Sequence, residues 1–415
     1  MIMAMKESGI EWVGLIPDTW SVIPNKYVMH KEKNLCEKWT GEDVMSLTMN
    51  GVIVRDLQNP TGKMPATFDG YQYIEDGDLL MCLFDIDVTP RCVGKVTHNG
   101  VTSPAYSNFK VHDNASRDYF YYYYLMVDNT KELLHLAKNL RHSFTEEQLG
   151  QLKVPMPPLS EQQAIADYLD ETCSQIDEII AEAKASIDEY KELKQSVIFE
   201  AVTKGLDKNV EMKDSGVEWI GEIPVDWNIA KINRVAWTTS GATPLRSKET
   251  EYYDNAVIRW VRTLDLNNGH VTDSSEKITE TALKNSSCSI MPVKTVCVAM
   301  YGGSGTIGKS GILEVECATN QAICSIVSDK KVLNPDYLHY VIMAVRKYWM
   351  KYAVGTRKDP NINQQIIAQM RIPIPQLSKQ DIIVNHLDKV TDKCDSLISE
   401  KESLINDLEA YKKCC

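Results

Sequence analysis

One stretch of this chain is written twice, and that repetition limits the fold more than any other feature. Lys6-Glu-Ser-Gly-Ile-Glu-Trp-Val-Gly-Leu-Ile-Pro17-Asp-Thr-Trp20 matches Lys213-Asp-Ser-Gly-Val-Glu-Trp-Ile-Gly-Glu-Ile-Pro224-Val-Asp-Trp227, with nine of fifteen positions identical at an offset of 207. A second match, Val154-Pro-Met-Pro-Pro-Leu-Ser160-Glu-Gln162 with Ile372-Pro-Ile-Pro-Gln-Leu-Ser378-Lys-Gln380, lies at an offset of 218. A long helical pattern follows each. The chain therefore reads as segment, module, proline turn and helix, written twice. The stretches between the markers, roughly 21–150 and 228–370, look unlike each other. Repeated frames do one structural job, and divergent modules do two different recognition jobs. A duplicated scaffold without shared function is the competing reading.

The helical patterns carry seams. In the first, Pro157 and Pro158 stop the preceding strand, and Ser160 with Gln163 reads as a capping box. Ile165, Leu169, Thr172, Ile176, Ile179, Ala183, Ile187, Tyr190, Lys194, Val197 and Ala201 follow at alternating spacings of three and four, up to a stop at Gly205. The second starts at Ser378 and runs Ile383, Leu387, Val390, Cys394, Leu397, Lys401, Leu404, Leu408, Tyr411. Such narrow stripes are not stable alone. For two repeats related by a two-fold axis, the economical solution is antiparallel pairing inside the chain, with outer faces left for partners. The rival is that each seam recruits a partner protein.

Composition sets further bounds. At 415 residues, 43% hydrophobic and 25% charged, the chain exceeds one core, and no apolar run approaches a membrane span. The first residues lack the pattern of a signal peptide, so a cytoplasmic protein is expected. The 11 cysteines form no CxxC pair and the eight histidines no ligand spacing, so no metal site and no cofactor are expected. The net charge of −12 argues against nucleic acid until its distribution is considered. Residues 160–200 carry −8 and residues 378–415 carry −2, whereas 201–377 carry +3. A local basic surface decides binding, not the total. Residues 1–159 remain acidic at −5, which counts against a nucleic-acid role for the first module.

Both modules read as mixed α and β. Asp78–Phe84 reads as a buried strand, with a helical pair over Tyr119–Met126 and Lys131–Asn139. In the second module Val257–Arg262, Thr295–Tyr301 and Gln321–Val327 read as strands and Tyr337–Tyr352 as a helix. Trp12, Trp20, Trp219 and Trp227 read as core anchors of the repeated segment. Basic, amide and hydroxyl side chains fall between these elements: Arg55, Arg91, Asn108 and Arg141 in the first module, and Thr243, Arg246, Lys248, Arg262, Tyr301, Gly303, Asn320, Gln321, Arg357 and Lys358 in the second. Arginine reads guanine through two parallel hydrogen bonds and Asn or Gln reads adenine, while lysine and backbone amides grip phosphate. These are the candidate DNA-contacting residues.

Three patterns imitate catalysis. Gly303-Ser-Gly-Thr-Ile-Gly308-Lys309-Ser310 satisfies the phosphate-loop pattern, but a strand rather than a helix is expected after it, so a tight glycine hairpin is the better reading. Asn334-Pro-Asp-Tyr337 lacks the second proline of the methyltransferase Asn-Pro-Pro-Tyr. Glu189-Tyr-Lys191 lies inside the long helix. No catalytic constellation survives, and a non-enzyme is expected.

Together these residues resemble the specificity subunits of type I restriction-modification systems. The carriers are the twice-used Ser-Gly-x-Glu-Trp-x-Gly-x-Ile-Pro segment, the Pro-x-Pro-x-Leu-Ser helix junctions and the Ile198-Phe-Glu-Ala-Val-Thr-Lys-Gly205 helix exit. In the second module they are Ser240-Gly-Ala-Thr-Pro244, Tyr301–Gly308 and Thr319-Asn-Gln321. The resemblance implies an α+β chain. Two mixed α/β target-recognition domains, 1–158 and 206–376, would be separated by two long helices, 159–205 and 377–415, forming an antiparallel coiled coil in a pseudo-two-fold tandem repeat. It also implies that each domain reads one half of a bipartite, asymmetric site on double-stranded DNA. Two modification (methyltransferase) subunits would dock on the helices and restriction (translocase-nuclease) subunits join them. The subunit itself would bind neither methyl donor nor ATP. Two other classes stay open: a non-catalytic scaffold joining partners without reading DNA, and a phosphate-loop nucleotide-binding protein acting through Gly303–Ser310.

Overall fold

A computed structural model describes residues 4–60, 62, 64–137, 142–302, 305–355 and 360–414. Four helices carry the frame: α1 (Arg117–Asn129), α2 (Leu159–Lys204), α3 (Pro335–Val345) and α4 (Leu377–Cys414). The chain divides into two compact units. One comprises residues up to 183 together with 403 onward, and the other residues 184–402, so each long helix contributes to both.

In unit 1, one four-stranded antiparallel sheet runs Met29–Glu32, Ser107–Val111, Leu79–Met81, Val93–Lys95. A second runs Gly51–Val54, Val44–Thr48, Gly100–Thr102, Gln72–Ile74, with its central pair parallel. Unit 2 repeats both. Ala236–Ser240, Ile323–Ser328, Val296–Ala299 and Ser310–Leu313 form the antiparallel sheet, to which Gly269–Val271 adds a parallel edge. Glu276–Ile278, Ile258–Val261, Cys317–Thr319 and Ile290–Met291 form the other, again with a parallel central pair.

The register coincides as well. Leu80 faces Asn108 as Cys297 faces Ser325, and Val101 pairs with Val44 as Ala318 pairs with Trp260. Two modules with little sequence in common are thus one topology. Val296, Cys297, Val298 and Ala299 are all fully buried, as a central strand covered on both faces requires.

Within each unit the strand that follows the first matched segment pairs with the strand that leads into the second. Ser21–Pro24 pairs with Lys153–Met156, and Asn228–Lys231 with Arg371–Ile374, in the same register. Each long helix opens with a buried glutamine. Gln162 donates to the Pro157 carbonyl (2.8 Å) and accepts from the Ser116 amide (2.8 Å). Gln380 donates to the Pro375 (2.8 Å) and Val332 (2.9 Å) carbonyls and accepts from the Asn334 amide (2.8 Å). Ser116 and Asn334 are the N-caps of α1 and α3. Further along each module helix a second tie recurs: Tyr122 donates to Asp170 (2.5 Å) and Tyr340 to Asp388 (2.7 Å). Both repeats therefore fasten their module helix to the long helix by the same two devices.

The long helices pair antiparallel. In unit 2, Ile198, Ala201 and Val202 of α2 cluster with Ile383, Val384 and Leu387 of α4, while Lys194 reaches Asp395 (2.6 Å). Numbers fall on one helix as they rise on the other. In unit 1, Asp177 pairs with Lys412 at 2.5 Å.

Four sequence expectations need correcting. The seam passes through buried Ile180 and Ile405, whereas Ile179 and Leu404 are exposed. An α-helix drifts about 20° per heptad against a strict 3.5-residue repeat, so a fixed heptad reading slips by one. Nor is Ser160 or Ser378 the cap. Both helices begin one residue earlier, the amides of Glu161 and Gln162 bonding the Pro158 carbonyl and those of Lys379 and Gln380 the Gln376 carbonyl. Gly205 ends α2 as expected, with φ +77° and its amide on the Ala201 carbonyl. The expected helix over Tyr337–Tyr352 breaks into α3, a 3₁₀ turn at Arg346–Tyr348 and a short helix at Trp349–Tyr352. Trp219 and Trp227 are core anchors, but Trp12 and Trp20 are only half-buried.

His339 on α3 is buried, its Nε2 without a partner among the described residues, and burial pushes its pKa down to about 3. The unfolded chain takes up that proton below about pH 6.5, and the folded chain only near pH 3. The unfolded state then binds more protons in this window, so stability declines as pH drops through it, by up to about 1.4 kcal/mol per pH unit. Denaturant unfolding of His339→Leu at pH 7 and pH 5 should show a shallower acid loss than the parent. Equal losses would contradict this account.

Candidate nucleic-acid interface

Thr243, Arg246, Arg262, Asn320 and Gln321, among the residues that sequence reasoning selected in unit 2, lie at one corner, where the connection after Ala236–Ser240 meets the end of Cys317–Thr319. Gly241 makes the approach possible. A Cβ there would lie 2.0 Å from the Thr319 carbonyl oxygen and 2.5 Å from that of Asn320. The Ala242 amide bonds the Thr319 carbonyl (3.0 Å), and the Thr243 hydroxyl donates to Gln321 Oε1. Ser240–Pro244 and Thr319–Gln321 are thus two sides of one surface.

Arg246 leaves this surface stacked over Tyr253 (4.3 Å to the ring centroid) and Trp260 (5.4 Å). Its Nη2 donates to Glu276 Oε2 at 2.5 Å, and Arg262 Nη1 donates to Glu276 Oε1 at 2.7 Å. Two guanidinium groups share one carboxylate, so this trio keeps one positive charge. The aromatic pair is tied to the same loop. Tyr253 donates its hydroxyl to the Pro244 carbonyl (2.7 Å), Trp260 donates Nε1 to the Ala242 carbonyl (3.1 Å), and burial raises the Tyr253 phenol pKa. Lys248 pairs with Glu251 (3.1 Å) and lies over Tyr252. Asn320 uses its side-chain oxygen on the Ala322 amide (3.2 Å), shaping the turn. Tyr301 is half-buried against the unit 2 core, which raises its phenol pKa.

The unit 1 selections do not converge. Asn108 is 1% exposed inside a sheet, donating to Asp78 (2.7 Å), whose carboxyl pKa is pushed up by burial. An amide so enclosed cannot reach a base edge, and Asn108 is withdrawn as a DNA contact. Arg91 spends its guanidinium on the carbonyls of Val93 (3.2 Å) and Met49 (2.8 Å) and on the Tyr121 hydroxyl (2.8 Å), which makes it a strut. Arg55 follows the edge strand Gly51–Val54, its amide on the Val44 carbonyl (2.8 Å). In the matched register this is the position of Glu276 in unit 2. Arg141, Gly303, Arg357 and Lys358 lie outside the described residues.

The imitation motifs have structural duties. Ser310 opens a buried strand antiparallel to Val296–Ala299, where a phosphate loop would need a helix. Asn334 caps α3, accepting from the amides of Asp336 (2.8 Å) and Tyr337 (3.2 Å), and buried Tyr337 donates to the carbonyls of Val202 and Pro373 (3.2 Å each). Among the described residues no group of three or more His, Cys, Asp or Glu could hold a metal ion, and no helix is long and apolar enough to cross a membrane.

The family model for the type I restriction modification DNA specificity domain matches residues 86–189 and 224–407. The chain belongs to this family. Among curated relatives of these specificity domains, the type I restriction enzyme MjaVIII specificity subunit of Methanocaldococcus jannaschii is 25% identical over 273 residues, covering 63% of this chain and 60% of that protein. The EcoBI specificity subunit of Escherichia coli is 24% identical over 302 residues, covering 69% and 61%. Each match thus spans less than two thirds of the relative's length. A solved chain from a study of complex assembly and conformational transition in the type I R-M system aligns with TM-score 0.71 at 13% identity, covering 96% of this chain and 97% of that one. The HsdS subunit of Thermoanaerobacter tengcongensis aligns at 0.54 and 14% identity, covering 96% of each. At these identities the likeness is one of fold.

Tyr253, Trp260 and Glu276, which complete this corner of the specificity domain, were not singled out from the sequence. The pairing register shows where they enter. The offset between repeats rises from 207 at Glu32 and Thr239 to 216 at Val44 and Trp260, so the second domain carries nine extra residues in the connection that holds Thr243, Arg246 and Lys248.

Proposed function

We propose that this chain is the DNA sequence-specificity subunit of a type I restriction-modification complex. Each module, 1–158 and 206–376, reads one half of a bipartite, asymmetric site on double-stranded DNA. The helices 159–205 and 377–415 set the separation between the halves and carry two methyltransferase subunits, which restriction subunits join. The chain itself is non-catalytic in this scheme. The observation that supports it most is a single sheet topology used twice, with unlike side chains presented at matched positions, in a chain of the DNA specificity family. A frame kept constant under divergent loops is what two readers of different sequences require. Arg55, Thr243, Arg246, Lys248, Tyr301 and Asn320, with Arg141, Gly303, Arg357 and Lys358, are the proposed contacts. Arg262 braces them.

The test is selection of bound duplexes from a random library by the chain assembled with its modification subunits. A two-part motif with a fixed gap is expected, and enrichment without sequence preference overturns the proposal. Four extra residues after Ala183 would lengthen α2 by about 6 Å at 1.5 Å per residue. At about 3.4 Å of duplex per base pair, the accepted gap should then grow by about one to two base pairs, or binding should be lost. An unchanged gap at unchanged affinity contradicts the spacer role. Rigid spacing matters because it makes the second half-site contact intramolecular, so two weak contacts act as one strong one.

A further inference from the structure

We propose that Arg246 reads a guanine in the half-site of the second module, and that Glu276, braced by Arg262, is the positioning residue that holds it for that task. This rests on the DNA-reading role above and names the base and the side chains. Three observations carry it.

The first is division of labour between the two arginines. Arg262 is turned inward. Its Nη1 is on Glu276 (2.7 Å), its Nη2 on the Ser275 hydroxyl (3.0 Å), and its Nε is buried without a partner among the described residues. Arg246 has half of its side chain exposed, and among the described residues only its Nη2 is hydrogen-bonded, to Glu276. The second is the backing. The guanidinium carbon lies over the rings of Tyr253 and Trp260, 4.3 and 5.4 Å from their centroids, and both rings are bonded to the backbone on either side of Thr243. An arginine stacked on an aromatic face and fixed at one nitrogen has lost most of its rotamer freedom before DNA arrives, so little further ordering cost is left to binding. The third is chemistry. The open edge of a guanidinium is a planar fork of parallel N–H donors, matching O6 and N7 of guanine in the major groove. A phosphate grip needs no such fixed plane.

Glu276 supplies what a bare arginine lacks. Its two oxygens tie Arg246 to Arg262, which sets the direction of the fork. Without it the guanidinium still carries its charge but swings on its stem, so attraction to DNA persists while discrimination falls.

The experiment is site selection from a random duplex library with the chain assembled with its modification subunits, for the parent, Arg246→Ala, Arg246→Lys and Glu276→Gln, alongside thermal unfolding of each. The parent should select a G·C pair at a fixed position of one half-site. Both Arg246 variants should lose preference at that pair by about tenfold or more while every other position holds. Glu276→Gln should relax the same pair at an unchanged melting temperature, and combining it with Arg246→Ala should relax the pair no further than Arg246→Ala does. Arg246→Lys is a surface change that leaves the fold intact, so it decides the base-reading claim even if Glu276→Gln unfolds the module. Three results overturn the inference while leaving the specificity role standing: a motif unchanged by Arg246→Ala, uniform weakening on all sequences, which marks a phosphate contact, or a preference untouched by a folded Glu276→Gln. A parent that selects no motif sinks the specificity role itself.

Discussion

Replacing Gln380 with alanine is expected to lower the unfolding free energy of the chain by about 3–5 kcal/mol. The side chain is fully buried and makes three hydrogen bonds, to the carbonyls of Pro375 and Val332 and from the amide of Asn334. Truncation leaves two acceptors and one donor unpaired in a buried or part-buried setting, each worth about 1–3 kcal/mol, and solvent entering the gap recovers part of the loss. The Gln380→Glu change keeps the shape of the side chain, but an ionised carboxylate cannot donate to two carbonyls, so it should be as damaging at pH 7. Urea unfolding of both variants checks this. A loss below about 1 kcal/mol in either would mean the glutamine is a bystander. Gln162→Ala should behave alike but more mildly, because that side chain makes two backbone hydrogen bonds, to Pro157 and from Ser116.

Gln162 and Gln380 also mark where sequence reading stops. Both stood inside a matched segment, visible as letters, and the repeat, the two long helices and their antiparallel pairing follow from such local patterns. What those glutamines hold does not follow, because Ser116 and Asn334 are 46 residues away and belong to modules with no obvious likeness. The same distance hid the shared sheets. Strands of two to six residues, paired across connections of unequal length, leave almost no periodic signal, and the equivalence appears only through pairing register. Asn108 failed as a candidate for that reason. In the chain it looks like a loop amide, but it falls in a strand whose neighbours bury it. Arg91 failed because carbonyls at Met49 and Val93 claim its donors, which residue type cannot reveal. That Arg246 and Thr243 lie in an exposed loop was legible, because turn-forming Gly241 and Pro244 stand beside them and such a connection leaves side chains to solvent.

Gly241→Ala should remove recognition of one half-site while sparing the other. The added methyl would sit 2.0 Å from a backbone oxygen, at Thr319, and 2.5 Å from a second, at Asn320. Neither is the tip of a side chain that can swing away. Relief requires the 240–244 connection to lift off, which breaks the Ala242–Thr319 hydrogen bond and the Thr243–Gln321 contact. Pro244 and Ala242 in turn hold Tyr253 and Trp260, so the platform beneath Arg246 is released with the loop. A destabilisation of about 2–4 kcal/mol follows from the overpacking and the lost buried contacts together. Gly269→Ala is the control. Its Cβ meets nothing within 4 Å, so both stability and recognition should stay near those of the parent. Site selection with the assembled complex distinguishes the outcomes. The expected result for Gly241→Ala is a motif truncated to one half, with affinity reduced by about 100-fold or more, since a rigid two-point contact has become one-point (roughly the 10²–10⁴ gain of bivalency, lost). An intact two-part motif from a folded Gly241→Ala chain would place the reading surface elsewhere, because no rearrangement that accommodates the methyl leaves Thr243 and Arg246 where they now stand.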